Sequence, residues 1–246
     1  MEASKGLKKR VMVTFDVDGT LIKSTGGSSN RLHRQAFSHA FLQVFGLQDA
    51  TIDAVQHHGQ TDPLILVNTL VHYGIPSDVA TEKLPNLKAS MIEYAKEHAQ
   101  DIREGLEVLP GIPALLDALS SKGVVIGLVT GNLEEIAWMK MEGLGIRKFF
   151  TVPNFGGFGT DHIERGELIK IAASRANVLS PEGFDLRLHV GDTPNDIRAA
   201  EYGGATAIGV CTGVFTAEQL NQASCGTAIV FPDLTNTKAF INLLQI

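Results

Sequence analysis

The feature that most constrains this chain is a pair of carboxylates placed directly after a buried strand. The apolar stretch at residues 11–14 predicts a β-strand, and it runs into the heptapeptide Phe15-Asp16-Val17-Asp18-Gly19-Thr20-Leu21. Burying a charge without a partner is costly, and an open α/β sheet binds its ligands where its strands end. We therefore expect Asp16 and Asp18 to be neutralised by a cation, to carry the chemistry, or both. Gly19 allows a sharp turn beside a ligand, and the hydroxyl of Thr20 can bind an anion.

The alternative is that these residues form only a turn, because Asp and Gly are common turn formers. Composition alone does not decide between the two. The chain has 246 residues, 44% of them hydrophobic and 20% charged, which is enough for one large domain or for a core with an insertion. Its formal net charge of -6 argues against nucleic acid or an anionic membrane as the main partner.

The remaining composition indicates a cytoplasmic protein. No apolar run approaches the roughly 20 residues that a membrane helix needs, and the basic segment 1–10 is not followed by an apolar segment of the signal-peptide type. Cys211 and Cys225 have no metal-type spacing, so we expect both to be reduced and structural.

Residues 23–104 are predicted to be helical, without a strand. A glycine-rich link at 23–29 resembles a hinge, and Asn30 can cap a helix at 31–45. Asp62 can cap a second helix that ends at Gly74, and Pro85 is expected to divide a third helical region at 77–102.

The rest of the chain alternates strands with helices, which predicts an α/β fold, a doubly wound (Rossmann-like) parallel sheet. Asn132 and Glu135 are expected to form a capping box at the start of a helix at 133–142. The predicted strands after the first are 124–129, 149–152, 186–190, 205–210 and 227–231. The organisation that follows is a core of residues 1–22 and 105–246, split after its first strand by an all-helical cap domain at 23–104.

Two further strand ends carry polar residues. Thr130-Gly131-Asn132 ends one strand ahead of a helix whose free N–H groups can bind an anion, although Asn132 could simply cap that helix. Another strand ends at Gly191 and is followed by Asp192 and Asp196, which are four residues apart. Both could simply be acidic residues at a helix start, where the helix dipole favours them. Together with Asp16 and Asp18 these aspartates would converge on one sheet edge, where a divalent cation with oxygen ligands, best Mg²⁺, resolves their repulsion.

The motifs in this order resemble those of the haloacid dehalogenase-like hydrolases, in the phosphatase branch. The resemblance covers nearly the whole chain, and the helical insertion is similar to the cap of the phosphoglycolate phosphatase-like group. The matching segments are Asp16-Val17-Asp18-Gly19-Thr20, Leu128-Val129-Thr130-Gly131-Asn132 and Gly191-Asp192-Thr193-Pro194-Asn195-Asp196.

The resemblance implies a mechanism. Asp16 would attack phosphorus and form an aspartyl-phosphate, while Asp18 would protonate the leaving group and then activate water. Mg²⁺ would be held by a side-chain oxygen of Asp16, the backbone carbonyl of Asp18, and Asp192, with Asp196 behind them. Phosphate oxygens would be bound by Thr130 and by the backbone of Gly131 and Asn132.

The family's third motif, usually a lysine that orients the nucleophile, has no clear match. Arg165, at a predicted helix start, is the favoured candidate and Lys170 is the alternative, although both could be solvated charges. The segment 59–62 resembles a cap loop that reaches over the active site, which would bring Thr61 to the substrate. The same residues could instead form only a turn and a helix cap. Arg31, His33 and His57 could touch an anionic leaving group or could be ordinary exposed side chains.

The function that the resemblance implies is hydrolysis of a small phosphorylated metabolite, with phosphoglycolate, nucleotides and sugar phosphates as candidates. A phosphomutase would use the same two aspartates, and a non-catalytic phosphate-binding protein could keep the fold. A dehalogenase is disfavoured because cleaving a carbon–halogen bond needs no acid at Asp18. Such a protein would work as a monomer or a homodimer, with no nucleic acid or membrane as a partner.

Overall fold

The computed structural model describes residues 9–26, 30–224 and 226–246. Most of the basic N-terminal segment, the middle of the expected hinge (residues 27–29) and Cys225 lie outside the described residues. Cys211 is half-buried and forms no disulfide with any described residue.

The fold is organised by a six-stranded sheet in which every neighbouring pair of strands is parallel, in the order β5-β4-β1-β6-β7-β8. Its first strand in sequence is therefore central. These strands are β1 (Val11–Phe15), β4 (Val125–Thr130), β5 (Gly156–Phe158), β6 (Leu186–Gly191), β7 (Thr206–Val210) and β8 (Ile229–Phe231). The predicted doubly wound parallel sheet is confirmed.

Helices cover both faces of the sheet, because alternate residues of each strand are apolar on opposite sides. Val13 and Phe15 of β1 pack with residues of α5, α6 and α10, whereas Met12 packs on the opposite face with residues of α7. The helices that follow the insertion are α5 (Ile112–Ser121), α6 (Glu134–Gly143), α7 (Arg165–Ala176), α8 (Pro194–Tyr202), α9 (Ala217–Ala223) and α10 (Thr237–Leu244).

The chain enters and leaves the helical insertion through a small two-stranded antiparallel sheet, β2 (Ile22–Ser24) with β3 (Leu106–Val108). Lys23 and Ser24 are therefore in a strand, which corrects the expectation of helix alone in this segment. The insertion itself consists of α1 (Arg31–Phe45), α2 (Asp62–His72), α3 (Ser77–Glu82) and α4 (Leu84–Glu97). The region predicted as the third helix breaks at Lys83 into α3 and α4, because Pro85 lacks the N–H that would continue α3. The predicted division at Pro85 is confirmed.

The strand predicted at 149–152 is wrong. The chain there forms a 3-10 turn at Arg147–Phe149, and Phe150 is buried against Trp138 with ring centroids 5.5 Å apart. The edge strand is instead β5, which was not among the predicted strands. A Cβ on Gly157 would lie 2.0 Å from the carbonyl oxygen of Leu168, so only glycine lets this strand fit beside α7. Among the described residues, no helix combines the length and apolarity needed to cross a membrane.

Candidate active site

Three strands end together at one edge of the sheet, and each is followed by a polar side chain. β1 pairs with β4 on one side and with β6 on the other, so the residues after their carboxyl ends become neighbours. The N–H of Asp16 continues the ladder by donating to the carbonyl oxygen of Val190 at 2.9 Å. The carboxylates of Asp16, Asp192 and Asp196 each present an oxygen within 4.8 Å of the others, and all three residues are buried. This three-carboxylate group is the central feature of the site.

Arg165, at the first position of α7, is the cation found beside this group. Its guanidinium Nη2 lies 2.6 Å from Oδ1 of Asp16 and 2.5 Å from Oδ1 of Asp196, and its side chain is 9% exposed. The charge environment raises the pKa of Arg165, because burial, which favours the neutral form, is outweighed by the attraction of Asp196 and Asp16. Arg165 is thus a fixed positive charge beside Asp16.

One arginine cannot balance three buried carboxylates, and their pKa values reflect this. Burial, partly opposed by Arg165, raises the pKa of Asp16 from 3.8 to about 7. Burial and the neighbouring charges of Asp16 and Asp196 raise the pKa of Asp192 well above its ordinary value. For Asp196 the effect of burial is outweighed by Arg165 and by the hydrogen bonds of His189 and Thr193, so its pKa falls to about 2. Asp196 and Arg165 therefore form the ionised pair, and the other two carboxylates need a further cation to ionise fully.

The donor set fits a hard divalent cation, because it consists of carboxylate oxygens on rigid strand ends. The sharp turn after Asp18 contributes to this geometry. Gly19 has a φ of +90°, and a Cβ there would lie 2.4 Å from Oδ2 of Asp192. Asp196 lies deeper, where its Oδ2 accepts from the N–H and hydroxyl of Thr193 at 3.0 and 2.6 Å in the capping box of α8.

The side chain of Asp18 is not part of the three-carboxylate group. Its two oxygens accept from Nζ of Lys140 at 2.9 and 2.8 Å, and Nδ2 of Asn132 donates to Oδ2 at 2.9 Å. Nδ2 of Asn30 donates to Oδ1 at 3.3 Å. Burial would raise the pKa of Asp18, but the charge of Lys140, together with the hydrogen bonds from Lys140 and Asn132, outweighs it and the pKa is lowered. The carboxylate of Asp18 therefore belongs to a separate, positively charged environment.

Three expected helix caps are wrong for one reason: their side chains are used by the site. Asn30 and Asn132 make no capping hydrogen bond and contact Asp18 instead, and the residue before α6 is Leu133. Asp62 lies inside α2, where its Oδ2 accepts the N–H of Leu133 at 2.9 Å. The orphan N–H of Glu134 is capped by the hydroxyl of Thr160 at 2.8 Å.

The predicted phosphate-binding residues are not all directed into the site. Thr130 and Gly131 lie at the end of β4 and line the cavity described below, together with Asn132. The hydroxyl of Thr20 donates to Oδ1 of Asp192 at 3.2 Å, so it supports a carboxylate of the group. The hydroxyl of Thr61 donates to the carbonyl oxygen of Ile163 at 2.7 Å, so it fixes the loop that carries it.

A loop of the insertion, residues 59–62, lies against this edge of the sheet. The carbonyl oxygen of Gly59 accepts from Arg165 at 3.2 Å and from Asn195 at 3.0 Å, and the N–H of Asp62 donates to the carbonyl oxygen of Gly131 at 2.8 Å. A Cβ on Gly131 would lie 2.2 Å from the carbonyl oxygen of Gln60, so glycine is needed for this close approach.

The space between the loop and the sheet edge is a cavity of about 450 Å³. Asp16, Asp18, Asp192 and Arg165 line it from the core, and the insertion contributes basic and aromatic side chains. Those side chains are Lys23, His33, Arg34, Phe37, His57 and His58, and Asn30, Gln60 and Asp62 of the insertion line the cavity as well.

The remaining candidates lie in different places. Lys170 is exposed, pairs with Glu167 at 3.0 Å and stacks its Nζ 3.8 Å from the ring centre of Tyr202, so it does not reach Asp16. Arg31 is exposed and pairs with Glu104 at 3.0 Å. His33 is buried, with its ring between Asp62 and Lys140.

Sequence reasoning missed Lys140, the lysine that contacts Asp18. Its side chain has no exposed surface. The signal was present, because residues 133, 136, 137, 140 and 144 share one face of a helix and the other four are Leu, Ile, Ala and Leu. A lysine on an apolar stripe needs a buried anionic partner.

Comparison with known proteins gives a consistent result. A family model described as haloacid dehalogenase-like hydrolase matches residues 12–204. A phosphoglycolate phosphatase of Rhodospirillum rubrum is 27% identical over 240 residues, which is 95% of this chain and 91% of that protein. A Clostridium perfringens protein provisionally named as the pyrophosphatase PpaX is 27% identical over 213 residues, 86% of this chain and 89% of that protein.

Solved structures share the fold. One described as a predicted phosphatase from Clostridium acetobutylicum superimposes with a TM-score of 0.65 at 18% identity, covering 97% of this chain and 99% of that one. The chain belongs to the haloacid dehalogenase-like hydrolases. The predicted family is therefore confirmed, and so is a hydrolase of the phosphatase type.

Proposed function

We propose that the protein is a Mg²⁺-dependent phosphomonoesterase that hydrolyses a small phosphorylated metabolite through an aspartyl-phosphate on Asp16. The observation that supports this most directly is the position of Asp16. Its carboxylate lines the cavity, lies 2.6 Å from Arg165 and belongs to a buried group of three carboxylates. A nucleophile, a fixed cation and a cation site thus meet on one wall of the cavity.

Asp16 is the nucleophile, because it lines the cavity and its oxygen is oriented by an arginine that cannot lose its proton. Arg165 holds Oδ1 of Asp16 and is itself held by Asp196, so the three side chains are fixed relative to one another. This arrangement supports Arg165 rather than Lys170 as the residue in the third-motif role. A planar guanidinium can bind both carboxylates at once, which an ammonium does less well.

Asp18 transfers protons. It donates one to the leaving oxygen as the P–O bond breaks, and it takes one from the water that then attacks the aspartyl-phosphate. Its lowered pKa makes it ionised before substrate binds. A phosphate dianion bound beside it raises its pKa by like-charge repulsion and so favours uptake of the proton that it later donates.

The cation would be held by Asp16 and Asp192, with the backbone carbonyl of Asp18 as a further oxygen and Asp196 behind them. When bound, Mg²⁺ supplies positive charge that lets an anionic nucleophile approach an anionic phosphate. Thr20 holds Asp192 in place through its hydroxyl. The backbone N–H groups of Gly131 and Asn132, with the hydroxyl of Thr130, bind phosphate oxygens at the edge where β4 ends.

The size and lining of the cavity support a class of substrate. A volume of about 450 Å³ accommodates a small metabolite and is lined on the insertion side by Lys23, Arg34, His57 and His58. These side chains favour an anionic leaving group, of which phosphoglycolate is the example suggested by the name of the Rhodospirillum rubrum relative. Nucleotides and sugar phosphates are the other candidates. We also propose a cytoplasmic monomer or homodimer with no nucleic-acid or membrane partner.

The test is release of inorganic phosphate from a panel of phosphorylated metabolites in the presence of Mg²⁺. Asp16→Asn should abolish release, while Asp117→Asn, at an exposed aspartate of α5, should leave it unchanged. Chelation by EDTA should silence the enzyme and Mg²⁺ should restore it. Retained turnover in the Asp16→Asn variant would exclude Asp16 as the nucleophile, and transfer of phosphate to a second hydroxyl without release would indicate a mutase.

A further inference from the structure

Lys140 is a lysine whose side chain is wholly buried in α6. An ammonium group loses its hydration in such a place, so it is tolerated only where anions and hydrogen-bond acceptors surround it. Neither the phosphate-binding residues nor the three-carboxylate group accounts for it. Its position therefore needs an explanation of its own.

The contacts of Lys140 use its full donor capacity. Nζ donates to both oxygens of Asp18 at 2.9 and 2.8 Å, to Oδ1 of Asn132 at 2.7 Å, and to Nδ1 of His33 at 3.3 Å. An ammonium has three N–H groups and no lone pair, and here each can point at an acceptor. Lys140 is not among the residues that line the cavity, so a bound substrate would contact Asp18 and not the lysine.

The same contacts decide where the carboxylate of Asp18 points. Both of its oxygens are turned to Lys140, and its amide partners are Asn132 at 2.9 Å and Asn30 at 3.3 Å. The side chain of Asp18 remains one-third exposed, toward the cavity. Lys140 thus gives Asp18 a cationic partner other than Arg165, and Asp18 is not a member of the three-carboxylate group.

Lys140 is in turn fixed from the side of the insertion. Because Lys140 can only donate to Nδ1 of His33, the ring carries its proton on Nε2, which donates to Oδ2 of Asp62 at 2.9 Å. Asp62 also accepts the N–H of Leu133 from the core. The position of Asp18 therefore depends on contacts from both the core and the insertion.

We propose that Lys140 is a positioning residue for the proton-transferring carboxylate of Asp18, supported on the insertion side by His33. The inference rests on the proposed function, since it assumes that Asp18 transfers protons. Loss of Lys140 leaves the nucleophile and the cation site intact, but the carboxylate of Asp18, which protonates the leaving group, is no longer held in position. The defect is then largest for substrates whose leaving group needs that proton.

The experiment compares kcat/KM for two phosphate esters in Lys140→Met. An alkyl ester such as glycerol 2-phosphate needs protonation of its leaving oxygen, whereas p-nitrophenyl phosphate does not. We expect kcat/KM for the alkyl ester to fall at least about 10-fold further than that for the aryl ester, since general acid catalysis contributes ~10²–10⁴-fold. The matched control is Lys148→Met, at an exposed lysine of the 3-10 turn, which should leave both values unchanged.

A double-mutant cycle distinguishes positioning from a general structural defect. In the Asp18→Asn background, Lys140→Met should lower kcat/KM for the alkyl ester by less than about 2-fold, because residues that act as a unit are not additive. A full additional loss there, or equal losses on both esters in the single variant, would overturn the proposal. If Lys140→Met does not fold, Lys140→Arg, which keeps the charge but displaces the hydrogen bonds, must show the same leaving-group dependence or the proposal fails. A wild-type enzyme inactive on both esters would instead refute the proposed function, and the role of Lys140 with it.

Discussion

The buried carboxylate of Asp16 should make the cation-free protein less stable as pH rises. Its pKa is about 7 in the folded chain and 3.8 ordinarily, mainly because burial disfavours the charged form. Between these values the unfolded chain has released the proton while the folded chain retains it. The folded state therefore binds more protons, and the free energy of unfolding falls as pH increases.

The size of the effect follows from the two pKa values. At pH values above both pKa values, the difference between them corresponds to a loss of about 4 kcal/mol in the free energy of unfolding. About 3 kcal/mol of this loss falls between pH 5 and pH 8. In Asp16→Asn the residue no longer titrates, and Asp192 also loses a charged neighbour that raises its pKa. The free energy of unfolding of this variant should therefore decline with pH by about 3 kcal/mol less than that of the wild type.

The assay is urea unfolding followed by circular dichroism in EDTA, from pH 5 to pH 8, for the wild type, Asp16→Asn and the control Asp117→Asn. Repeating it with saturating Mg²⁺ should flatten the pH dependence of the wild type, because the cation favours the ionised carboxylates that it binds. Parallel pH dependences of the wild type and Asp16→Asn in EDTA would refute the reasoning.

Two further predictions concern groups at the same edge of the sheet. Arg165→Ala leaves Asp16 and Asp196 buried without this cation. It should therefore lower the free energy of unfolding by about 3–5 kcal/mol and turnover by at least about 100-fold. Lys170→Ala, at an exposed ion pair, should change the free energy of unfolding by less than about 1 kcal/mol. Urea unfolding and phosphate release measure both effects, and the reverse order of activities would move the third-motif role to Lys170. Gly131→Ala should displace the loop at 59–62, because a Cβ would lie 2.2 Å from the carbonyl oxygen of Gln60. We expect about a 10-fold loss of kcat/KM. An unchanged kcat/KM would show that the loop does not govern access to the cavity.

Much of the fold could be predicted from the sequence, because a parallel sheet imposes strong local patterns. β1, β4 and β7 are near-continuous apolar runs, as expected for strands covered on both faces. Polar residues directly after parallel strands had to meet at one edge of the sheet, which is why the gathering of Asp16 after β1 and Asp192 after β6 could be expected before any geometry was known. The roles of these residues stay predictions until the variants are measured.

The three incorrect predictions of helix caps share a cause: the side chain binds a distant partner instead of the N–H groups of its own helix. Asn30, Asn132 and Asp62 all stand where a capping residue is expected, yet their polar atoms bind Asp18 or the backbone of a neighbouring segment. Local patterns cannot separate these uses, because the same residue types serve both. The missed β5 differs, since its glycines have low strand propensity and are required only by the close approach of α7.

The central place of β1 has a consequence for how the protein is made. Val11–Phe15 is synthesised before both of its neighbours in the sheet, which are β4 and Leu186–Gly191. Contacts so distant in sequence close slowly, and the second of them cannot form until Leu186–Gly191 has been synthesised. During translation β1 keeps an unpaired edge while the helices of the insertion can already pack against one another, so Asp16 reaches its final surroundings in the sheet only after β6 has been made.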